Sequence, residues 1–226
     1  MLHALLDGSE RPAGELARAA GVSAATASGH LRRLVGAGLV GVRPCGRHRY
    51  YALSGPGVAA ALEALALIAP VVGVRSLRQS RTAAALVEAR SCYDHLAGRA
   101  GVSLRTTLLD IGAVEPDGAR DHLLTARGRA LLADLGVDGD QVARSRRMLA
   151  RDCLDWTERR PHLAGALPAA LLNRFLELGW LTRRRDDRGL TVTALGRDQL
   201  ADLGRDRLAD LRRDQLADLP AVVRGS

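Results

Sequence analysis

Lysine is missing from this chain: the 33 Lys-plus-Arg positions are all arginine. Aromatic residues make up only 3% of 226 positions. The core must therefore be built from Leu, Val and Ala, which favours helices over sheets. No run of 18 apolar residues occurs, so a membrane-spanning helix is excluded. Met1–Asp7 carries neither a basic n-region nor a small-residue cleavage site, and no secretory signal is expected. The three cysteines, Cys45, Cys92 and Cys153, are odd in number and scattered, so no disulfide framework follows and a reducing cytoplasm is the expected compartment. No Gly-rich phosphate loop, GxSxG or HExxH is present, and a reading as an enzyme finds no motif to rest on.

One further absence is local. Between Leu16 and Leu62 there is no Asp or Glu, while Arg18, Arg32, Arg33, Arg43, Arg47 and Arg49 fall inside that stretch; the chain as a whole carries a net charge of +8. An acid-free basic segment is the electrostatic footprint of a polyanion partner. An all-arginine, Ala- and Gly-rich chain is equally what GC-rich coding produces, so the charge needs a shape.

The shape follows from punctuation and period. Met1–Asp7 reads as the end of a short helix closed by Gly8. Pro12 suits the first position of a helix that ends at Gly21. Ser23 is an N-cap for a second helix running to Ala37, with Ala27, Leu31 and Leu34 as its buried stripe. Val40, Val42, Tyr50 and Tyr51 flank a turn at Pro44–His48 and predict a β-hairpin with a basic tip. Helix, turn, helix and basic hairpin make a winged helix-turn-helix. The second helix is narrow enough for a major groove and turns Ser23, Ala24, Thr26, Ser28, His30, Arg32 and Arg33 outward. The hairpin would bring Arg43, Arg47, His48 and Arg49 to flanking phosphates or the minor groove.

The run Ser23-Ala-Ala-Thr-Ala-Ser-Gly-His-Leu-Arg-Arg-Leu-Val-Gly-Ala-Gly-Leu-Val, followed by Gly46-Arg-His-Arg-Tyr-Tyr-Ala-Leu, resembles the ArsR/SmtB family of bacterial repressors over residues 1–70. The resemblance implies a homodimer on double-stranded operator DNA that is released when an effector binds, with no membrane partner. Two features depart from the family: a helix usually precedes the segment that opens this chain, and Gly29 replaces a larger polar residue. The paired cysteines that some members carry have no counterpart in Pro12–Leu16, and Val58–Ala69 offers only Glu63 in place of Asp/His pairs. That helix is apolar almost all round and must be buried. Val58, Leu62 and Leu65 are its expected dimer seam, with burial against its own chain as the other solution.

Residues 71–203 hold an internal repeat and are read as an effector domain, with 204–226 as a repetitive helical tail. Ala89-Arg-Ser-Cys-Tyr-Asp-His-Leu-Ala-Gly recurs as Ala150-Arg-Asp-Cys-Leu-Asp and then His162-Leu-Ala-Gly; Leu124-Thr-Ala-Arg-Gly-Arg recurs as Val192-Thr-Ala-Leu-Gly-Arg. Each copy reads as helix, hairpin and helix, so the fold class is mainly α with small β-hairpins: a winged helix-turn-helix plus two degenerate winged-helix-like repeats. A similar signature around Cys92 and Cys153 belongs to long ArsR-type regulators with an added C-terminal domain. Cys92 and His95, at i and i+3, are expected on one helix face. Cys92, Asp94, His95, Cys153, Asp155 and His162 together suit a soft divalent ion such as zinc, cadmium or lead. A shared ion requires the two sulfurs to lie within about 7 Å of each other. The alternative is that both cysteines are buried apolar residues and the Asp and His residues cap helices or pair with arginines. Trp156 and Arg160 are spaced for a cation–π contact. Three octads from Arg197 place leucines at a period of eight, which drifts about 80° per octad on a helix and excludes a straight zipper. Competing readings of the whole are a thiol-, redox- or small-molecule-responsive repressor, an enzyme, or a protein-interaction module with a vestigial winged helix.

Overall fold

The computed structural model of the chain describes residues 1–46, 48–69, 77–185 and 187–204; Arg47 and the octads beyond residue 204 lie outside them. The described residues form helices and small antiparallel sheets.

After a 3₁₀ turn at Leu2–Leu5 the chain makes a two-residue strand, β1 (Arg11–Pro12), and enters α1 (Ala13–Ala20). Pro12 serves both as strand and as helix start: its φ of −71° suits either, and its missing N–H removes no ladder bond there. Gly21, at φ 63°, stops α1 in the left-handed region. The Ser23 hydroxyl then accepts the Thr26 N–H at 3.2 Å and opens α2 (Ala24–Gly36). Leu16 and Ala17 of α1 pack with Ala27 and Leu31 of α2 on the buried side of the turn. Strands β2 (Val40–Cys45) and β3 (His48–Leu53) pair from Val40↔Leu53 to Cys45↔His48, and β1 adds to the far side of β3. The hairpin turn is therefore tighter than the Pro44–His48 loop read from sequence. Pro44 pairs within the ladder because β2 is an edge strand, where a missing N–H is tolerated. Helix α3 (Pro56–Ile68) closes this unit, whose core is Leu5, Leu6, Leu16, Leu31, Val40, Tyr51, Leu53 and Ala59.

The second unit runs α4 (Leu77–Glu88), β4 (Arg90–Cys92), β5 (His95–Ala97), α5 (Arg99–Asp110), β6 (Val114–Asp117), β7 (Asp121–Leu124), α6 (Ala126–Asp134), α7 (Gly139–Ala143), β8 (Ala150–Leu154), β9 (Pro161–Ala164), α8 (Ala166–Glu177), β10 (Leu181–Arg183), β11 (Leu190–Val192) and a helix α9 over 194–204. Hairpin, helix, hairpin and helix thus occur twice. The segment around Cys92 is corrected here: it is a hairpin, not a helix, and Cys92 and His95 are cross-strand partners. Backbone pairing on both sides of β4 decides this. Arg90 faces Ala97 on one edge and Gly189 on the other, so tertiary hydrogen bonds override a weak local preference.

The recurring Thr-Ala-x-Gly-Arg has a physical cause. Thr125 and Thr193 each accept the N–H three residues on, at 3.0 and 2.9 Å, and each faces, with its hydroxyl as donor, the two carbonyls that lead from the helix into the hairpin, Gly112 and Ala113 or Gly179 and Trp180. A Cβ on Gly128 would sit 2.1 Å from the Ala113 carbonyl oxygen, and one on Gly196 would sit 2.0 Å from that of Trp180, so only glycine fits. The copies join reciprocally. Asp152 N–H donates to Arg120 O at 2.7 Å, and the equivalent Ser91 N–H donates to Arg188 O at 2.9 Å. Helix α5 packs on β9 and α8 on β5, each against the other copy's first hairpin. The two cysteine-bearing hairpins therefore meet in the middle of the unit, beside a core that includes Leu108, Ile111, Leu167, Leu172 and Phe175 stacked on Trp180.

Candidate nucleic-acid interface and thiol–imidazole cluster

Because Ala27 and Leu31 point inward, the remaining face of α2 is turned to solvent: Ser23, Ala24, Thr26, Ser28, His30, Arg32 and Arg33 are all exposed. Ser23 and Thr26 are partly committed, their hydroxyls 2.9 Å apart as part of the helix cap. Arg43, His48 and Arg49 are exposed on the hairpin; Arg47 falls outside the described residues. A cleft of about 420 Å³ joins the two elements, lined by Ser28 and Arg32 from α2 and by Val42, Pro44, Arg49 and Tyr51 from the sheet. Among the described residues Arg32, Arg33 and Arg49 make no ion pair. Arg43 does. Its Nε donates to both oxygens of Glu10, at 3.1 and 3.0 Å, and its guanidinium lies 5.6 Å from the Tyr50 ring centre. The Glu10 carboxylate holds the Arg43 guanidinium charged more firmly still. Sequence reading missed this pair because Glu10 precedes the acid-free stretch and reaches it only through β1.

Helix α3 inverts the usual burial. Its polar residue, Glu63, is 1% exposed, while Leu65 is 58% and Ile68 80% exposed. Of the seam expected on it, Val58 and Leu62 pack partly against the core of their own unit, and Leu65 alone lies open. Glu63 is buried because Arg188 binds its Oε1 and Arg90 stands 4.0 Å from its Oε2. Neither arginine was singled out from sequence, where only the contrast of one acid on an apolar helix pointed to this spot.

The second cluster forms where the two hairpins meet. Cys92 pairs with His95 across a two-residue turn; Cys153 pairs with His162 across the longer loop carrying Trp156. The residues inserted in the second copy lengthen the loop and leave the Cys–His register unchanged. One ligand atom from each of Cys92, His95, Cys153 and His162 lies within 4.8 Å of all the others. The imidazole rings are 5.2 Å apart, tilted by 31°. Asp94 and Asp155 stand outside this set, one behind each histidine: Asp94 is 3.3 Å from His95 Nδ1, and Asp155 is 3.4 Å from His162 Nδ1. Nε2 of both histidines and Nδ1 of His162 are buried without a hydrogen-bond partner among the described residues.

The electrostatics of the cluster follow from these contacts. The adjacent Cys92 thiol, with the His162 and His95 imidazoles beside it, draws Cys153 toward the thiolate against the opposing effect of burial. Cys92, beside that sulfur and buried near Glu63, is pushed the other way. Burial works to lower the His95 pKa, but its bond to Asp94 and the neighbouring Cys153 outweigh this and raise it. Asp155 is buried, which alone would raise its pKa, yet the charge of Arg90 and the Thr157 hydroxyl hold it well below the ordinary carboxylate range. Arg90 itself is fully buried between Asp155 at 2.9 Å and the Trp156 ring at 5.0 Å. Trp156 therefore stacks on Arg90 and not on Arg160, which is exposed. A cavity of about 290 Å³ opens onto Cys92, His95 and Cys153 and is also lined by Pro56, Ala59 and Ala60 of α3. No helix among the described residues is long and apolar enough to cross a membrane.

Comparison with known proteins bears on both clusters. Residues 1–43 match a helix-turn-helix domain family, which takes in α1, α2 and the start of the hairpin. Over 197 residues, 87% of each chain, the protein is 42% identical to an uncharacterised HTH-type transcriptional regulator of Bacillus subtilis (strain 168), YdfF. The shared length reaches far beyond the matched domain and so includes much of the repeat.

Proposed function

The chain belongs to the helix-turn-helix transcriptional regulators, and from that premise we propose a homodimeric repressor of the ArsR/SmtB type, not an enzyme. Residues 1–70 would be its winged helix-turn-helix, residues 71–203 an effector domain of two degenerate winged-helix-like copies, and 204–226 a tail. The observation that carries the reading is the joined surface of α2 and the hairpin, where unpaired Arg32 and Arg49 line one cleft with Ser28. A helix with small residues at its outward positions enters a major groove, while the hairpin meets the flanking backbone. Two such heads one DNA turn apart need a two-fold partner. The open Leu65 and Ile68 on α3 are the apolar surface best suited to supply it. The effector would be a soft metal ion taken up in the C-terminal domain, acting by binding one arrangement of the heads more tightly than the other.

The test is binding to a duplex carrying the DNA upstream of the protein's own gene. Affinity should fall steeply as salt rises. Arg32→Ala should cost about 1–3 kcal/mol if it reads a base edge. Flat salt dependence together with unchanged affinity in both Arg32→Ala and Arg33→Ala would remove the groove assignment. Leu65→Glu should yield monomers in sedimentation; a folded, dimeric variant would move the seam elsewhere.

A further inference from the structure

We propose that Cys92, His95, Cys153 and His162 bind one zinc-class divalent cation in tetrahedral geometry, and that Asp155, Arg90 and Glu63 link this ion to α3. The link rests on the regulator reading; the ion site does not.

Four observations carry the site. The donors come from two hairpins of separate copies, so nothing local in the chain requires them to meet, yet all four lie within 4.8 Å of one another. Tetrahedral zinc, with Zn–S of about 2.3 Å and Zn–N of about 2.0 Å, spaces its donors roughly 3.3–3.8 Å apart. Side-chain rotations drawing the donors in by about 1 Å would close the site. The Nε2 atoms of His95 and His162 are buried and unpaired. Leaving such groups empty-handed costs about 1–3 kcal/mol each, and a cation removes that cost. His95 Nδ1 is hydrogen-bonded to Asp94, the arrangement that orients an imidazole bound to metal through its other nitrogen, and His162 Nδ1 lies 3.4 Å from Asp155, close enough to take up the same role. The chemistry of the set selects the ion: two thiolates and two imidazoles suit zinc or cadmium, whereas magnesium and calcium require oxygen donors. The cavity beside Cys92, His95 and Cys153 gives the ion a way in, and that way runs past α3.

Two lines connect the site to the head. Asp155 Oδ2 accepts from Arg90 Nη2 at 2.9 Å and from Gly98 N–H at 2.7 Å, and it also faces His162. Arg90 in turn stands beside Glu63, which Arg188 binds. The second line is the turn between Cys92 and His95. Tyr93 takes φ 60°, uncommon for a residue with a side chain, and is held there by donating its N–H to Leu6 O at 2.6 Å while its ring packs on the head core. A cation that draws the hairpins together therefore pulls on both the opening turn and α3.

The experiment uses the full chain, reduced and stripped with chelator, titrated with Co²⁺ and then Zn²⁺. Expected are one equivalent of Co²⁺ per chain, the visible spectrum of a tetrahedral site with sulfur ligands, and its loss on adding Zn²⁺. Cys92→Ser with Cys153→Ser should abolish the spectrum. Asp94→Asn should keep one equivalent but weaken Co²⁺ binding about 10–100-fold, with an unchanged far-UV spectrum. An octahedral Co²⁺ spectrum, equal uptake by the double variant, or fully reduced thiols that take up no Co²⁺ would overturn the site. For the link, Zn²⁺ should change affinity for the upstream duplex by about 5-fold or more, and Glu63→Gln should keep one equivalent of Co²⁺ while bringing that ratio close to one. Zn²⁺ binding with no change in DNA affinity overturns the link. Normal Co²⁺ uptake with no DNA binding in either state overturns the regulator reading and supports the ion site by itself.

Discussion

In the head, Arg43 holds Glu10 with side chains 56% and 40% exposed; in the C-terminal unit, Arg90 holds Asp155 with both at 0%. The same pair of charges does different work in the two places. On the hairpin, water screens both partners, and a phosphate can take the place of Glu10 at little cost. In the interior, Arg90 is fixed by Asp155, Thr157 and the Leu86 carbonyl, so it is held in one position and cannot be exchanged. The head presents its cations free or in an exchangeable pair, and the C-terminal unit locks Arg90 and Asp155 together in its interior.

Breaking the two pairs gives the largest contrast. Arg90→Ala leaves Asp155 buried with an uncompensated charge and should destabilise the protein by about 3–5 kcal/mol in urea unfolding. Glu10→Gln should leave the unfolding midpoint where it is. It should tighten DNA binding and steepen the salt slope by up to about one unit, because Arg43 then reaches phosphate unopposed. Equal loss of stability in both variants would erase the distinction between the regions.

Glycine substitutions sharpen the comparison at a smaller scale. Gly128→Ala and Gly196→Ala should each destabilise by about 1–3 kcal/mol, since a backbone carbonyl lies where the new methyl must go. Similar costs at the two positions are expected because the copies use the motif in the same way. Gly29 sits in α2 with nothing within 4 Å of an added Cβ. Gly29→Ala should therefore stabilise by about 0.5–1 kcal/mol through helix propensity. Thermal or denaturant midpoints moving in the same direction for all three would contradict the packing argument.

The regions also differ in how far they could be read in advance. In the head, caps and periodicity are local: Ser23, Gly21 and the Ala27–Leu31 spacing define α1 and α2, and charge marks the outward face. What escaped was non-local, namely β1 and the Glu10–Arg43 pair it delivers. In the C-terminal unit the repeat pointed to Cys92, Asp94, His95, Cys153, Asp155 and His162 as a set, because equivalent positions in two copies can meet across their junction; the structure gathers the cysteines and histidines and leaves the two aspartates behind the imidazoles. Their secondary structure was not legible. A three-residue strand such as β4 carries no period, and it exists because β5 and Gly189 pair with it. The buried arginines were invisible for a related reason: in a chain whose 33 Lys-plus-Arg positions are all arginine, nothing in the sequence separates Arg90 and Arg188 from the surface cations.

The smallest effect expected concerns acid, and it isolates Asp7, a carboxylate that ties the head's opening turn to its sheet. Asp7 accepts from the Ser9 hydroxyl and N–H at 2.6 and 2.9 Å and from Arg11 of β1 at 2.7 Å. Burial would raise its pKa, but these bonds outweigh burial and hold it below the ordinary aspartate value of 3.8. A carboxylate depressed in the folded state binds its proton more readily once the chain unfolds. Its contribution is therefore complete above the unfolded value and disappears as pH falls through the folded one. With part of the group open to solvent, that contribution is at most about 1 kcal/mol. The stability gap between wild type and Asp7→Asn should be constant near neutrality and shrink only below pH of about 4. Denaturant melts at pH 7, 5, 4 and 3 would read this directly, and a gap that stayed the same down to pH 3 would show that Asp7 holds the turn by shape and not by charge.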